Sequence, residues 1–228
     1  MGSKTKIEWT DATWSPVTGC TPASEGCAHC YALRDLHRRR RPEEPRCHPG
    51  RLRIPTKWKR GRRVFVCSMG DLFHPDVPSA FIREVYGVMR YGAPQHTFQV
   101  LTKRPERMVA EVTATMRAPN IWHGVTVESQ RQVWRVNELV RMPETLHFVS
   151  CEPLLEEVVL PLQEHEIEWV IVGGESGPGA RQIKAEWVQK LRDQATAFGV
   201  KFFFKQWGGV RRTMAGRLLD GRTWEETP

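Results

Sequence analysis

Long apolar stretches are missing from this sequence. No run of about 18 uncharged apolar residues occurs, so no membrane-spanning helix is expected. The opening Met1-Gly2-Ser3-Lys4-Thr5-Lys6 has no apolar core of the kind a secretory leader needs. Lys6 also stands where a myristoylation signal at Gly2 wants Ser or Thr. Cysteine is scarce. There are six in 228 residues, and three of them, Cys20, Cys27 and Cys30, crowd into one stretch, while Cys47, Cys67 and Cys151 are scattered. A small secreted domain held by disulfides would be shorter and more densely bridged. These absences lead to the expectation of a cytoplasmic protein whose clustered cysteines serve a metal or cluster. The length fits a single domain over 1–228, with 34–63 as an insertion and 208–228 as a C-terminal extension.

Charge is present but unevenly placed. The net charge is +8. Residues Arg34 to Arg63 hold thirteen Lys/Arg against three Asp/Glu, so the rest of the chain is slightly acidic. One basic segment on a near-neutral body suits a polyanion such as DNA or RNA. Trp58 sits inside it between Lys57 and Lys59. Cations interleaved with an aromatic ring are a means of gripping single strands or flipped bases. Four prolines, Pro42, Pro45, Pro49 and Pro55, predict irregular backbone here.

Short apolar runs recur along the chain. They are 64–66, 97–101, 121–125, 146–149, 169–172 and 200–204, each rich in β-branched or aromatic residues. A further strand is expected near Ile7 to Thr13. Continuous apolarity, rather than alternation, predicts burial on both faces, as in a parallel sheet. Helical patterns lie between the runs: Ser79 to Tyr91, Pro105 to Met116, Ser129 to Arg141 with Ser129 as N-cap, and Ala185 to Phe198 before Gly199. The β-α alternation matches an open doubly wound sheet, or a complete or partial parallel barrel.

Chemistry-bearing residues follow each run: Ser68 and Asp71, Lys103, Glu128, Cys151 and Glu152, Glu175, then Lys205, Gln206 and Trp207. In a parallel barrel these ends converge on one mouth, where active sites are built. Cys20, Cys27 and Cys30 form C-x6-C-x2-C in a loop expected at the same mouth, before a helix starting near Tyr31. Three thiolates can ligate three irons of a [4Fe-4S] cluster and leave the fourth iron open. A zinc site would need a fourth ligand, for which His29, Cys47 and His48 are candidates.

On these residues the sequence resembles the radical S-adenosylmethionine superfamily, and more closely a phage- and bacteria-associated family of unknown function. The resemblance is carried by Ile7-Glu8-Trp9-Thr10-Asp11, Val17-Thr18-Gly19-Cys20, Met69-Gly70-Asp71-Leu72-Phe73-His74 and Leu101-Thr102-Lys103-Arg104-Pro105. It continues through Ser150-Cys151-Glu152-Pro153-Leu154, Gly173-Gly174-Glu175 and Phe204-Lys205-Gln206-Trp207-Gly208. It implies an α/β fold, a partial parallel (β/α)6 TIM-like barrel of the radical SAM type. It also implies a [4Fe-4S] cluster on Cys20, Cys27 and Cys30 and a bound S-adenosyl-L-methionine cleaved to a 5′-deoxyadenosyl radical. Two features depart from the superfamily: the first cysteine spacer is longer than the common three residues, and Gly173-Gly174-Glu175 follows a late strand instead of the second. The methionyl end therefore falls by position to Ser68 and Asp71. Lys103, Glu128 and Glu152 are expected to hold the cofactor or substrate, and Glu175 to face substrate. Cys151 is expected to donate hydrogen to a substrate radical. Lys205, Gln206 and Trp207 are expected to close the far side, with Trp207 stacking on a base. Implied partners are a nucleic acid or nucleotide substrate and a flavodoxin- or ferredoxin-like electron donor, in the host cytoplasm if the gene is a phage's.

Overall fold

The computed structural model describes residues 5–210 and 215–228. Its centre is one sheet of seven strands, all parallel. In spatial order they are β1 (Ala12–Trp14), β4 (Arg63–Val66), β5 (Thr97–Thr102), β6 (Ile121–Thr126), β7 (His147–Cys151), β8 (Trp169–Gly173) and β9 (Lys201–Gln206). The short strands β2 (Val17–Thr18) and β3 (Arg46–Cys47) pair separately as an antiparallel ladder. Five α-helices lie among them: α1 (Tyr31–Arg38), α2 (Ser79–Gly87), α3 (Pro105–Glu111), α4 (Trp134–Leu139) and α5 (Ala185–Ala197). The expected α/β partial barrel is thus the fold, with sequential strands as neighbours from β4 onward.

Burial on both faces is complete in β7 and β8, as their unbroken apolarity predicts. Strand side chains alternate between two cores. Val64, Val66, Phe98, Val100, Val149, Val170 and Val172 point to an outer core shared with Phe81, Ile82 and Val85 of α2, Val136 of α4 and Leu191 of α5. Phe65, Phe148, Trp169, Ile171 and Phe203 point the other way, into a smaller aromatic core with Trp9. The Trp9 ring lies 4.7 Å from that of Phe65 and 6.1 Å from that of Trp169. β4 and β8 are four positions apart in the sheet, roughly 19 Å if it were flat at about 4.8 Å per strand. One indole touching both requires the sheet to curl into a half-barrel, with the aromatic core as its floor.

Several element boundaries differ from expectation. The first strand is Ala12–Trp14, not Ile7 to Thr13, because the preceding segment turns beneath the sheet and Gln99 Nε2 donates to the Trp9 carbonyl at 3.3 Å. The Pro105 helix stops at Glu111. Ser129 precedes a 3-10 turn, Gln130–Gln132, and its hydroxyl donates to Glu25 instead of capping. The basic segment is not wholly irregular, since it opens as the end of α1 and contains β3. Gly199, at φ +68°, ends α5 as anticipated.

Of the C-terminal extension, 211–214 lie outside the described residues. Its last residues cover the exposed edge of β9. Phe204 N donates to the Trp224 carbonyl at 2.9 Å, Glu226 N to that of Phe202 at 3.2 Å, and Trp169 Nε1 to that of Glu226 at 2.8 Å. Covering an edge in this way blocks pairing with another chain. Among the described residues no helix is long and apolar enough to cross a membrane.

Candidate active site

The C-terminal ends of the strands form the mouth, and the three-cysteine loop lies across it. Four strand ends hold the loop down. From β4, the Ser68 carbonyl accepts from the Tyr31 hydroxyl at 2.5 Å. From β5, Arg104 Nη2 donates to the Thr21 carbonyl at 2.8 Å. From β6, Glu128 accepts from the Ser24 hydroxyl and Ser129 donates to Glu25. From β8, Glu175 Oε2 lies 2.9 Å from His29 Nδ1, and Arg34 Nη2 donates to the Ser176 carbonyl at 2.7 Å. The contact with Glu128 needs a glycine at position 26, because a Cβ there would fall 2.6 Å from Glu128 Oε1.

Alternation along the strands sorts the residues that face the concave side. Lys103 follows Gln99 and Leu101, Glu152 follows Phe148 and Ser150, and Lys205 follows Phe203. These side chains form two lysine–carboxylate pairs above the aromatic floor. Lys103 Nζ is 3.7 Å from Glu128 Oε1, and Lys205 Nζ is 2.9 Å from Glu152 Oε1. Ser150 Oγ donates to Glu152 Oε2 at 3.3 Å. Both lysines are only part-buried, so each ammonium is shared between its carboxylate and the open mouth.

Two carboxylates beside the loop are anchored by arginines. Glu128 is fully buried and accepts from Arg135 Nη1 at 2.8 Å, and Arg135 is itself buried. Glu175 accepts from Arg181 Nη2 at 2.6 Å and from Arg181 N at 2.9 Å. Burial alone would raise the Glu175 pKa. The Arg181 and His29 contacts outweigh it and hold the carboxyl at about 2.

Asp71 is committed as well. Its oxygens accept from Thr102 Oγ1 at 2.8 and 2.9 Å, from Phe73 N at 2.9 Å and from Arg104 Nη1 at 2.9 Å. Its structural work is to aim Arg104, whose Nη1 also lies 3.5 Å from Cys20 Sγ. Burial and then Asp71 push the Cys20 thiol up to about 11, with Arg104 opposing both. Ser68, expected to share the methionyl end with Asp71, has its hydroxyl 3.4 Å from that of Ser15.

The six cysteines are all free. Cys20, Cys27 and Cys30 are half-buried, whereas Cys67 and Cys151 are buried. Cys27 Sγ accepts from Ala23 N at 3.5 Å. Cys20 and Cys27 each face an N–H donor, and hydrogen bonds of this kind tune the potential of an iron–sulfur cluster. Among the described residues no three His, Cys, Asp or Glu side chains converge as a site for a single ion. A cluster makes a different demand, since each cysteine binds its own iron. Of the suggested fourth zinc ligands, His29 is engaged by Glu175 and His48 Nε2 lies 2.7 Å from Thr18 Oγ1, while Cys47 packs against the outer core.

The expected roles of Cys151, Trp207 and Trp58 are corrected. Cys151 does not face the mouth: strand alternation turns it into the outer core with Val149, fully buried, so it is not placed to donate hydrogen to a substrate there. Trp207 packs 4.6 Å from Phe204 and donates through Nε1 to the Leu218 carbonyl, closing the barrel end instead of offering a stacking face. Gln206 is buried and braces the Gly174 carbonyl at 3.0 Å. Trp58 is likewise no free aromatic: it lies edge-on to His96 at 5.6 Å, under the Arg62 guanidinium. Sequence reasoning missed Arg104, Arg135 and Arg181, and placed His29 only as a candidate zinc ligand. Arg104 had a signal, since it directly follows a strand end. Arg135 and Arg181 had none, because their partners are fixed by packing.

The model of one protein family, described as protein of unknown function DUF5131, matches residues 4–228. The chain belongs to that family. No curated protein and no solved structure matches it. Its chemistry must therefore be argued from the mouth itself.

Proposed function

We propose that the protein is a radical S-adenosylmethionine enzyme acting on nucleic acid or a nucleotide. The observation that carries this reading is the three-cysteine loop fastened to four strand ends over a half-barrel mouth. In this reading Cys20, Cys27 and Cys30 hold three irons of a [4Fe-4S] cluster. When bound, that cluster would supply the electron that splits S-adenosylmethionine into methionine and a 5′-deoxyadenosyl radical. Arg104 sets a positive charge beside Cys20 that opposes the burial and the Asp71 charge raising its thiol pKa. Lys103 and Lys205 present ammonium groups suited to a carboxylate or phosphate, while Glu128 and Glu152 fix where those groups point. The aromatic floor closes the lower half of the concave face and keeps water out from below.

The test is anaerobic reconstitution with iron and sulfide, then S-adenosylmethionine and dithionite, reading iron content and 5′-deoxyadenosine. The expected result is about four irons per chain and release of 5′-deoxyadenosine. A colourless protein holding one zinc and releasing none would overturn the reading in favour of a zinc-stabilised nucleic-acid-binding protein.

A further inference from the structure

The basic segment is stitched to the cysteine loop. β3 pairs Arg46 with Thr18, two residues before Cys20. The Glu43 and Glu44 carbonyls sit so close to Gly19 that a Cβ there would fall 2.6 and 2.4 Å from them. His48 N donates to the Pro16 carbonyl at 2.8 Å. From this junction the chain crosses the outer side of the sheet toward the base of β5. Arg51 donates to the Ser15 carbonyl at the top of β1, and Gln95, just before β5, donates to the Trp58 carbonyl at the base. The basic residues therefore run from the top of β1 to the base of β5 across the outer side of the sheet, over roughly its height of 15–20 Å at about 3.3 Å per residue.

Some of these cations are neutralised internally, as Arg38 and Arg39 are by Asp35. Others are exposed with no carboxylate partner among the described residues. Arg40, Arg41 and Arg46 stand near the mouth, and Lys57, Lys59 and Arg60 near the base. The upper cations share one neighbourhood: burial, then Arg51, Arg46 and Arg41, depress the His48 pKa. The apolar residues of the segment point inward, since Leu52, Ile54 and Trp58 pack on the outer core. A membrane-binding surface needs apolar side chains to insert beside its cations, and no exposed large apolar residue falls between 34 and 63. Arginine forks match phosphate oxygens.

We propose that this stripe is a track for the phosphodiester backbone of a nucleic-acid strand, which it leads from the base of β5 up to the mouth. The proposal rests on the reading of the mouth as acting on nucleic acid or a nucleotide and deepens it: the substrate is a polymer, not a free nucleotide.

Binding is tested without turnover, so its failure is separable from failure of the radical chemistry. The probe is a fluorescent single-stranded DNA of about 20 nucleotides, which exceeds a typical single-strand footprint, with the matching RNA in parallel. Anisotropy is followed across a salt series for the full chain and two triple variants, R40A/R41A/R46A and K57A/K59A/R60A. The expected result is binding of DNA, RNA or both, with log affinity falling linearly in log salt. Each triple variant should flatten that slope by about 2, at roughly 0.7 per lost contact, and weaken binding at low salt at least tenfold. Thermal melts of the variants should match the parent. Absence of binding to both strands, or an unchanged slope in either triple variant, overturns the track. So does attachment to phosphatidylserine vesicles with no oligonucleotide binding. Production of 5′-deoxyadenosine by a protein that fails this test would keep the radical reading and leave a free nucleotide as substrate.

Discussion

The concave face has two halves built on opposite rules. The floor is aromatic: Trp9, Phe65, Phe148, Trp169 and Phe203 pack ring against ring, with centroids 4.7–6.1 Å apart where they touch. The upper half is ionic: Lys103, Glu128, Glu152, Lys205 and Glu175 are each held by a named partner, beneath a loop with three half-buried thiols. The same strands supply both halves, so the division runs along each strand from N- to C-terminal end. Below, side chains exclude water and fix the curl. Above, they keep charge available at an opening. Stability should therefore depend mainly on the floor, and chemistry mainly on the mouth.

The comparison breaks most visibly if a mouth residue controls folding. Replacing any one of Cys20, Cys27 or Cys30 with Ala should reduce cluster loading and 5′-deoxyadenosine to background, a fall of at least about a thousandfold in rate, or roughly 4 kcal/mol. The melting temperature of the cluster-free protein should stay within a few degrees of the parent. Cys151→Ala should leave deoxyadenosine release intact, since its thiol lies in the outer core. A Cys27→Ala chain that fails to fold would show that the loop is structural.

The mirror experiment is Phe148→Ala. Phe148 is fully buried among Trp169, Ile171 and Phe203. Its removal should cost about 3–5 kcal/mol in urea unfolding through lost transfer and a cavity. Iron content per folded chain should be unchanged. Loss of cluster loading in a folded Phe148→Ala protein would show that the two halves are coupled.

How legible each half was from sequence follows from the same contrast. The floor and outer core take their strand residues from apolar runs of a few residues, and period-two alternation sorts those residues between the two cores once the strands are recognised. That is why six of the seven parallel strands, β4 to β9, were predictable. The same alternation, applied to Cys151, would have turned it away from the mouth beforehand. The mouth was legible only as a list of residues after strands. Which cation meets which carboxylate depends on loops that cross between elements, as Arg181 folds back to Glu175 and Arg104 reaches both Asp71 and Cys20. Those pairings leave no periodic trace. The Ile7-Glu8-Trp9 segment misled for a related reason: its apolar residues pack under the sheet and not in it.

Glu128 lies where the halves meet, and so tests how sharp the boundary is. It is buried, paired to buried Arg135, and it holds Ser24 of the cysteine loop. Glu128→Gln keeps the shape but leaves Arg135 without a counter-charge. About 3 kcal/mol of stability should be lost, at the lower end for breaking a buried pair because the amide still accepts a hydrogen bond. Cluster loading should fall too, because the loop loses a charged anchor. A variant that loses stability but loads iron normally would place Glu128 with the floor.

The most gradual effects are expected from acid, and they separate the outer core from the mouth by pH window. His123 is buried against Tyr86, whose hydroxyl lies 2.9 Å from Nε2. Burial, then His147 and Arg117, hold its pKa down at about 3. The unfolded chain takes up this proton first, near pH 6.5. Stability should therefore fall as pH drops from about 6.5 to 3, with a slope of up to about 1.4 kcal/mol per unit. Glu175 acts in a lower window. Its folded pKa of about 2 lies below the usual carboxylate value, so its contribution is whole above about 4.5 and is lost as pH falls toward 2. Urea midpoints measured from pH 7 to 3 should show a flatter acid limb for His123→Gln across the whole range. Glu175→Gln should flatten it only below about 4.5. An unchanged limb in His123→Gln would mean that His123 is already protonated in the folded protein, and that the Tyr86 hydroxyl accepts a hydrogen bond from it instead of donating one.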